Sequence, residues 1–252
     1  MRCDDTSDET SEFVLTDLFR SHLAVHECQV GDFIDSLGDC ESLSAQRMRA
    51  SRQHEFSTGR HCARQAAHAL QLTPAQREQI ADIPVGDHRD PRWPDGVRGS
   101  ISHDGKQAIA IVSNDPRCHS VGVDLLGLDA MGRMPSVNRL IATRDEISDA
   151  VGVLDCSQFV TAILADKNTG PDTSEEPGQV ESTLAACVIF SVKESVFKCL
   201  YPALHEWIGL RDAHVSLRFD PNTLPGSLNG ALNPLTPDAK PASTLSLSLI
   251  HI

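Results

Sequence analysis

The stretch FSVKESVFKCL, Phe190 to Leu200, restricts the fold more than any other part of the 252-residue chain. Val192, Val196, Phe197 and Leu200 recur at helical spacing and predict a helix with a buried face. Lys193, Glu194 and Lys198 stand among them. Neighbours such as Lys193 and Glu194 diverge by about 100° on a helix, whereas Glu194 and Lys198, four apart, share a face. A solvated pair of that kind contributes about 0.2–0.5 kcal/mol. Within an apolar helix the same groups need partners, because an unpaired buried charge is costly.

Asp124 poses the same problem in SVGVDLL, an apolar strand candidate. A structural ion pair accounts for either acid alone. Taken together, Asp124 and Glu194 supply the few hard oxygen ligands that Mg²⁺ requires, with water and phosphate oxygens completing its octahedron.

The fold class follows from the order of patterns. A helix is predicted from Ser42 through AQRMRASRQHEFSTGRHCARQAAHALQL, with Gly59 as its weak point and a stop at Thr73-Pro74. Before it, FVLTDLF and LAVHECQV suit edge strands or turns. After it, IPVGDHRDPRWPDGVRGS is a loop by its Gly, Pro and Asp content, and SISHDGKQAIAIVS reads as two strands around an Asp-Gly turn. Residues 136–164 read as helical, with ATRDEI as a start; HVSLRFD and TLSLSLIHI alternate like half-exposed strands. Residues 1–12 are disordered and 166–182 a flexible insertion by composition. The expectation is α+β, as two halves of similar size, 1–123 and 124–252.

The net charge of −13 is uneven. Residues 1–45 hold eleven acids against two arginines, while 46–108 hold ten bases against seven acids. The overall sign disfavours nucleic acid, yet a small polyanion suits the basic segment. Arg47, Arg49, Arg52, Arg60 and Arg64 lie there with one acid, Glu55. They read either as a solvated helix face or as phosphate-binding forks. No apolar run is long enough for a membrane span and the acidic N-terminus is unlike a signal peptide, which predicts a cytoplasmic protein away from membranes. The eight cysteines include no C-x-x-C and read as reduced structural thiols. Ser102 and His103 lie one residue apart on a strand and so point to opposite sides, which argues against a serine-hydrolase dyad. G-x-S-x-G, P-loop and G-x-G-x-x-G motifs do not occur.

WPDGVRGSISHD, SVGVDLL and FSVKESVFKCLYP, in this order, resemble the 4'-phosphopantetheinyl transferases of the surfactin and enterobactin type. EFSTGRHCAR and HEWIGLRDAHVSL fit the same family, so the resemblance covers about residues 40–220. It implies two similar half-domains related by a pseudo-two-fold axis, each a small antiparallel sheet on a long helix, with the active site between them. The first half would bind the coenzyme A nucleotide and the second would carry the metal and catalytic groups. The implied reaction moves phosphopantetheine from coenzyme A to a serine of an apo acyl or peptidyl carrier protein, and the implied state is a monomer. Asp124 and Glu194 match the family's ligands for Mg²⁺, which Mn²⁺ can replace. Lys193 and Lys198 match its phosphate-facing lysines, with Asp124, Glu194 and Lys198 as the catalytic set. Ser102 and His103 match its coenzyme A segment, Arg52 and Arg60 the grip on the 3'-phosphate, and His88 or Arg89 a further base. Where the family carries a second carboxylate two residues after the aspartate, this chain has Leu126. That departure leaves a catalytically weakened homologue, a coenzyme A or carrier-protein regulator, as the alternative, and Asp129 as a substitute ligand. A phosphate-binding structural module is the third reading.

Overall fold

The computed structural model describes residues 22–127, 139–154, 179–216 and 244–251. Strands β1 (Leu23–Gln29), β2 (Arg98–His103) and β3 (Gln107–Ser113) form an antiparallel sheet in the order β1-β3-β2. LAVHECQ is thus an edge strand, and FVLTDLF lies outside the described residues. Central β3 is buried throughout, as its unbroken apolar run requires. The Asp-Gly turn joins β2 to β3: Asp104 Oδ1 accepts the N–H groups of Lys106 (2.9 Å) and Gln107 (2.8 Å), and Gly105 supplies φ +90°.

The long helix predicted from Ser42 is three helices. α1 (Asp39–Ala45) ends early, α2 (Ala50–His68) restarts after an extended Arg49, and Thr73-Pro74 opens α3 (Pro74–Ile80) instead of only ending a helix. The break at residues 46–49 is stabilised by the Gln53 amide, which donates to the carbonyls of Ala45 (3.0 Å) and Met48 (3.1 Å). It also turns Glu41 inward. That carboxylate has no solvent exposure and accepts from Arg64 Nη1 (2.9 and 3.1 Å), Gly38 N–H (3.0 Å) and Ile83 N–H (3.1 Å), with Arg60 Nε at 3.4 Å. Gly59 sits where α2 crosses β2, since a Cβ there would meet Ile101 Cγ2 at 2.8 Å.

Strand β4 (Val121–Gly127) pairs antiparallel with β5 (Thr244–His251), with a register irregularity between Leu125 and Leu126. Helix α4 (Arg144–Leu154) starts on a reciprocal cap, Glu146 N–H to Thr143 Oγ1 (3.2 Å) and Thr143 N–H to Glu146 Oε2 (2.8 Å). It packs on α5 (Gln179–Leu204), which lies against β4 and β5. Within the expected insertion, residues 179–182 are therefore helical; 166–178 and the N-terminal 1–12 lie outside the described residues. Residues 214–216 of HVSLRFD form no strand, and the rest of that segment is likewise outside.

The two sheets meet where β2 runs beside β4. Ser100 Oγ accepts Val123 N–H (3.1 Å) and Ser102 Oγ accepts Leu125 N–H (3.0 Å), so alternate hydroxyls of one strand satisfy alternate amides of the other. The expected division at Val123 falls inside β4; the change of sheet comes between Ser113 and Val121. Helix α5 presses on β4 at Gly122, where a Cβ would lie 1.9 Å from Ser195 O and 2.9 Å from Cys199 Cβ. Gly122→Ala is expected to destabilise the fold by about 2–3 kcal/mol, because a backbone contact cannot be relieved by a rotamer change. A urea midpoint equal to that of the parent would refute this account of the packing.

Candidate active site

Asp124 is 6% exposed, and its position on β4 gives it two partners from different elements. Ser102 Oγ donates to Asp124 Oδ1 (2.9 Å), and Lys198 Nζ donates to the same oxygen (2.6 Å), to Ser102 Oγ (3.0 Å) and to Val123 O (3.2 Å). The shared face of Glu194 and Lys198 on α5 brings Glu194 to the same place. Burial pushes the Glu194 carboxyl up, the Asp124 carboxylate adds to the rise, and the Lys198 ammonium opposes it.

The other side of β2 faces α2. Arg52 donates a hydrogen bond to the His103 imidazole, and Glu55 Oε2 takes both Arg52 Nη1 (3.0 Å) and His103 Nδ1 (3.3 Å). Burial and the Arg52 guanidinium lower His103 to about 4, with Lys198 acting in the same direction against Glu55 and Asp104. The imidazole is therefore neutral near pH 7.

Beside these groups opens a cleft of about 440 Å³, whose lining includes His88, Arg89, Trp93, Phe197, Lys198 and Trp207. Tyr201 links its aromatic wall, with ring centroids 5.7 Å from His88 and 5.2 Å from Phe197, and Phe197 lies 5.0 Å from Trp207. Trp207 is 82% exposed at the rim. Arg89 holds φ +69° in a loop closed by Arg89 N–H to Gly86 O (3.0 Å) and Gly86 N–H to Asp90 O (2.8 Å). Gly99 lets Trp93 lie directly on β2, since a Cβ there would approach the indole to 2.4 Å.

Asp124 and Glu194 are a two-carboxylate set, and no group of three or more His, Cys, Asp or Glu forms a metal cage among the described residues. The donor chemistry nevertheless fits a hard divalent cation that keeps several waters. The rise in Glu194 caused by Asp124 is the repulsion such a cation would relieve.

Two family models match in tandem. Residues 41–113 match the 4'-phosphopantetheinyl transferase N-terminal domain, and residues 120–234 match the 4'-phosphopantetheinyl transferase superfamily. The chain belongs to the 4'-phosphopantetheinyl transferase superfamily. Its mixed helix and sheet architecture is consistent with the two-half-domain α/β fold of that superfamily. Over 174 residues it is 29% identical to the 4'-phosphopantetheinyl transferase PptT of Mycobacterium tuberculosis, covering 69% of this chain and 62% of that protein. The transferase Svp of Streptomyces mobaraensis is 27% identical over 188 residues, 75% of this chain and 64% of that one. Enterobactin synthase component D of Salmonella typhi is 31% identical over 114 residues, 45% of this chain and 36% of that one. The chain thus spans less than two thirds of the length of each of these relatives.

For this phosphopantetheinyl transferase superfamily member, the residues singled out in the sequence divide into two groups. Asp124, Ser102 and Lys198 are in mutual contact with Glu194 beside them; His103 and Arg52 pair one strand face away; His88 and Arg89 line the cleft. Lys193 and Arg60 stand elsewhere. Contrary to its reading as a phosphate-facing group, Lys193 is 2% exposed, with Nζ 2.8 Å from Glu146 Oε1 and donating to Ile141 O (2.9 Å). The helical rotation that separates it from Glu194 turns it into the core of the second half. Arg60 is 5% exposed beside Glu41, over the Phe56 ring at 4.7 Å, and burial lowers its pKa to about 10 despite Glu41. Leu126 packs on the cluster of Ile141, Leu184 and Ile189, and so does Phe190; Asp129 lies outside the described residues. Sequence reasoning missed Glu41 and Glu146 as internal counter-ions, and Ser100 as the second bridging hydroxyl. Only T-x-x-E at Thr143 carried a readable signal, as a capping box. No helix among the described residues is long and apolar enough to cross a membrane.

Proposed function

We propose that this chain is a cytoplasmic, monomeric Mg²⁺-dependent enzyme that transfers 4'-phosphopantetheine from coenzyme A to a serine of an apo acyl or peptidyl carrier protein. Adenosine 3',5'-bisphosphate is the second product. The observation that carries this reading is the convergence of Asp124, Ser102 and Lys198, with Glu194 beside them, at an aromatic-walled cleft in a chain of this superfamily. Phosphoryl transfer demands mainly positioning and neutralisation of charge, and these groups provide both.

Asp124 and Glu194 would hold Mg²⁺, which when bound would supply neutralisation of the diphosphate charge. Lys198 offsets charge on the phosphate that leaves when the serine oxygen bonds to phosphorus. Glu194 is the base that accepts the serine proton. Arg52 and His103 bind the nucleotide end, one of His88 and Arg89 adds a further contact, and Phe197 and Trp207 line the path of the pantetheine arm. Arg60 and Lys193 are assigned to their buried counter-ions instead. Incubating the chain with an apo carrier protein, coenzyme A and Mg²⁺ should add the mass of one phosphopantetheine to the carrier, and chelation should stop it. An unchanged carrier across a panel of acyl and peptidyl carriers overturns the reading. The packing of Leu126 where the family resemblance implies an acid favours one second reading, a coenzyme A-binding regulator; coenzyme A binding without transfer would establish it.

His103 gives a separate prediction. A phosphate bound at Arg52 and His103 would raise the imidazole from about 4 toward its ordinary value near 6.5. Calorimetry of coenzyme A binding near pH 5.5, in buffers of different ionisation enthalpy, should show proton uptake approaching about one proton. His103→Gln should abolish the uptake, and uptake that persists in that variant would place the titrating group elsewhere.

A further inference from the structure

Cys28 and Cys62 bring two thiols together outside the lining of the cleft. Cys28 is half-buried on the edge strand β1, Cys62 is fully buried on α2, and their sulfurs lie 3.4 Å apart. Both converge on Ala108 of β3: Cys28 faces it in the ladder, and Cys62 Sγ donates to its carbonyl at 3.5 Å. One helical turn earlier the same two segments are already latched. Thr58 Oγ1 accepts Gly31 N–H (3.1 Å) and donates to His54 O (2.7 Å) in its own helix.

We infer that Cys28 and Cys62 form a reversible dithiol–disulfide site that closes in response to hydrogen peroxide and ties β1 to α2. A disulfide needs the sulfurs at about 2.05 Å. Side-chain rotation at the more accessible Cys28 supplies most of that approach, since the Gly31–Thr58 latch holds the backbones in register. Cys28, as the thiolate, attacks one peroxide oxygen, breaking the O–O bond; it becomes a sulfenic acid and one water leaves. Cys62 sulfur then attacks the Cys28 sulfur, the S–O bond breaks, and the hydroxyl leaves with the Cys62 proton as a second water. Two thiols lose two electrons and two protons, and one hydrogen peroxide is reduced to two waters. Burial pushes the Cys62 thiol well up, and the neighbouring Cys28 adds to this, which suits Cys62 to the resolving step over the first. A small-molecule thiol reverses the link by exchange at Cys28.

The test uses the folded 252-residue chain. It is treated with hydrogen peroxide, alkylated in denaturant without reductant, digested and analysed by mass spectrometry. The expected product is one peptide pair joined through Cys28 and Cys62, which becomes two alkylatable peptides after dithiothreitol. Oxidation should raise the thermal midpoint of the parent by several degrees and leave that of Cys28→Ala unmoved. Recovery of both peptides in alkylated form, a sulfinic acid on Cys28 without a link, or a link from Cys28 to another cysteine would each overturn the inference. The parent's peptides decide the matter even if Cys28→Ala does not fold.

Discussion

Asp124→Asn is expected to slow phosphopantetheine transfer by about 10²–10³-fold while leaving the chain folded. Asparagine keeps the size of the side chain and an oxygen that can accept from Ser102, but it removes the negative charge that faces Lys198 at 2.6 Å. Two consequences follow. The proposed metal site falls to a single carboxylate, and Glu194 loses the neighbour that helps keep its carboxyl basic. The fold should survive, because Lys198 is 26% exposed and water can solvate its ammonium; about 1 kcal/mol is a reasonable loss. Single-turnover transfer to a carrier protein, with a urea melt alongside, separates the two effects. Transfer within about threefold of the parent would remove Asp124 from the catalytic set and sink the proposed site.

Lys193→Ala should act in the opposite way, on stability far more than on the chemistry. It strands the Glu146 carboxylate at 2% exposure, and breaking a buried pair from one side costs about 3–5 kcal/mol. Total stability of a domain is about 5–15 kcal/mol, so the variant should melt early or fail to accumulate. Glu146→Gln combined with Lys193→Met should recover part of the loss, since no charge is buried and the glutamine oxygen can keep one of the contacts to the Thr143 and Val215 amides. Acid should expose the same linkage. Burial pushes Glu146 up, but the Lys193 ammonium and the two amides hold it at about 2, below its ordinary 4.5. The pair's contribution is therefore complete above about pH 4.5 and disappears as pH falls toward 2. A Lys193 variant that keeps the parent's urea midpoint yet loses transfer would return this lysine to the phosphate site.

The same lysine shows what could be read from the sequence and what could not. Asp124 and Glu194 stood out because charges in apolar surroundings demand a partner, and the fourfold spacing of Glu194 and Lys198 located one of them. The Asp-Gly hairpin and the 190–200 part of helix α5 were legible from period and turn chemistry alone, whereas LAVHECQV suited an edge strand or a turn and residues 179–182 read as part of an insertion. Glu146 and Glu41 were not, since each lies in a short polar stretch that resembles any solvated helix start. Their burial depends on contacts with Lys193 and with Arg60 and Arg64 that arise only after distant segments have packed. The break at residues 46–49 was hidden for a similar reason: good helix formers fill it, and the competing hydrogen bonds come from a side chain in the next helix.

The serine bridge between β2 and β4 carries one more consequence. Ladder pairing would have locked the halves at a fixed strand spacing, whereas hydroxyl links reach across on rotatable bonds. Each link rests on one buried hydroxyl, so losing Ser100 or Ser102 would strand a β4 amide while the ladders on either side stay intact.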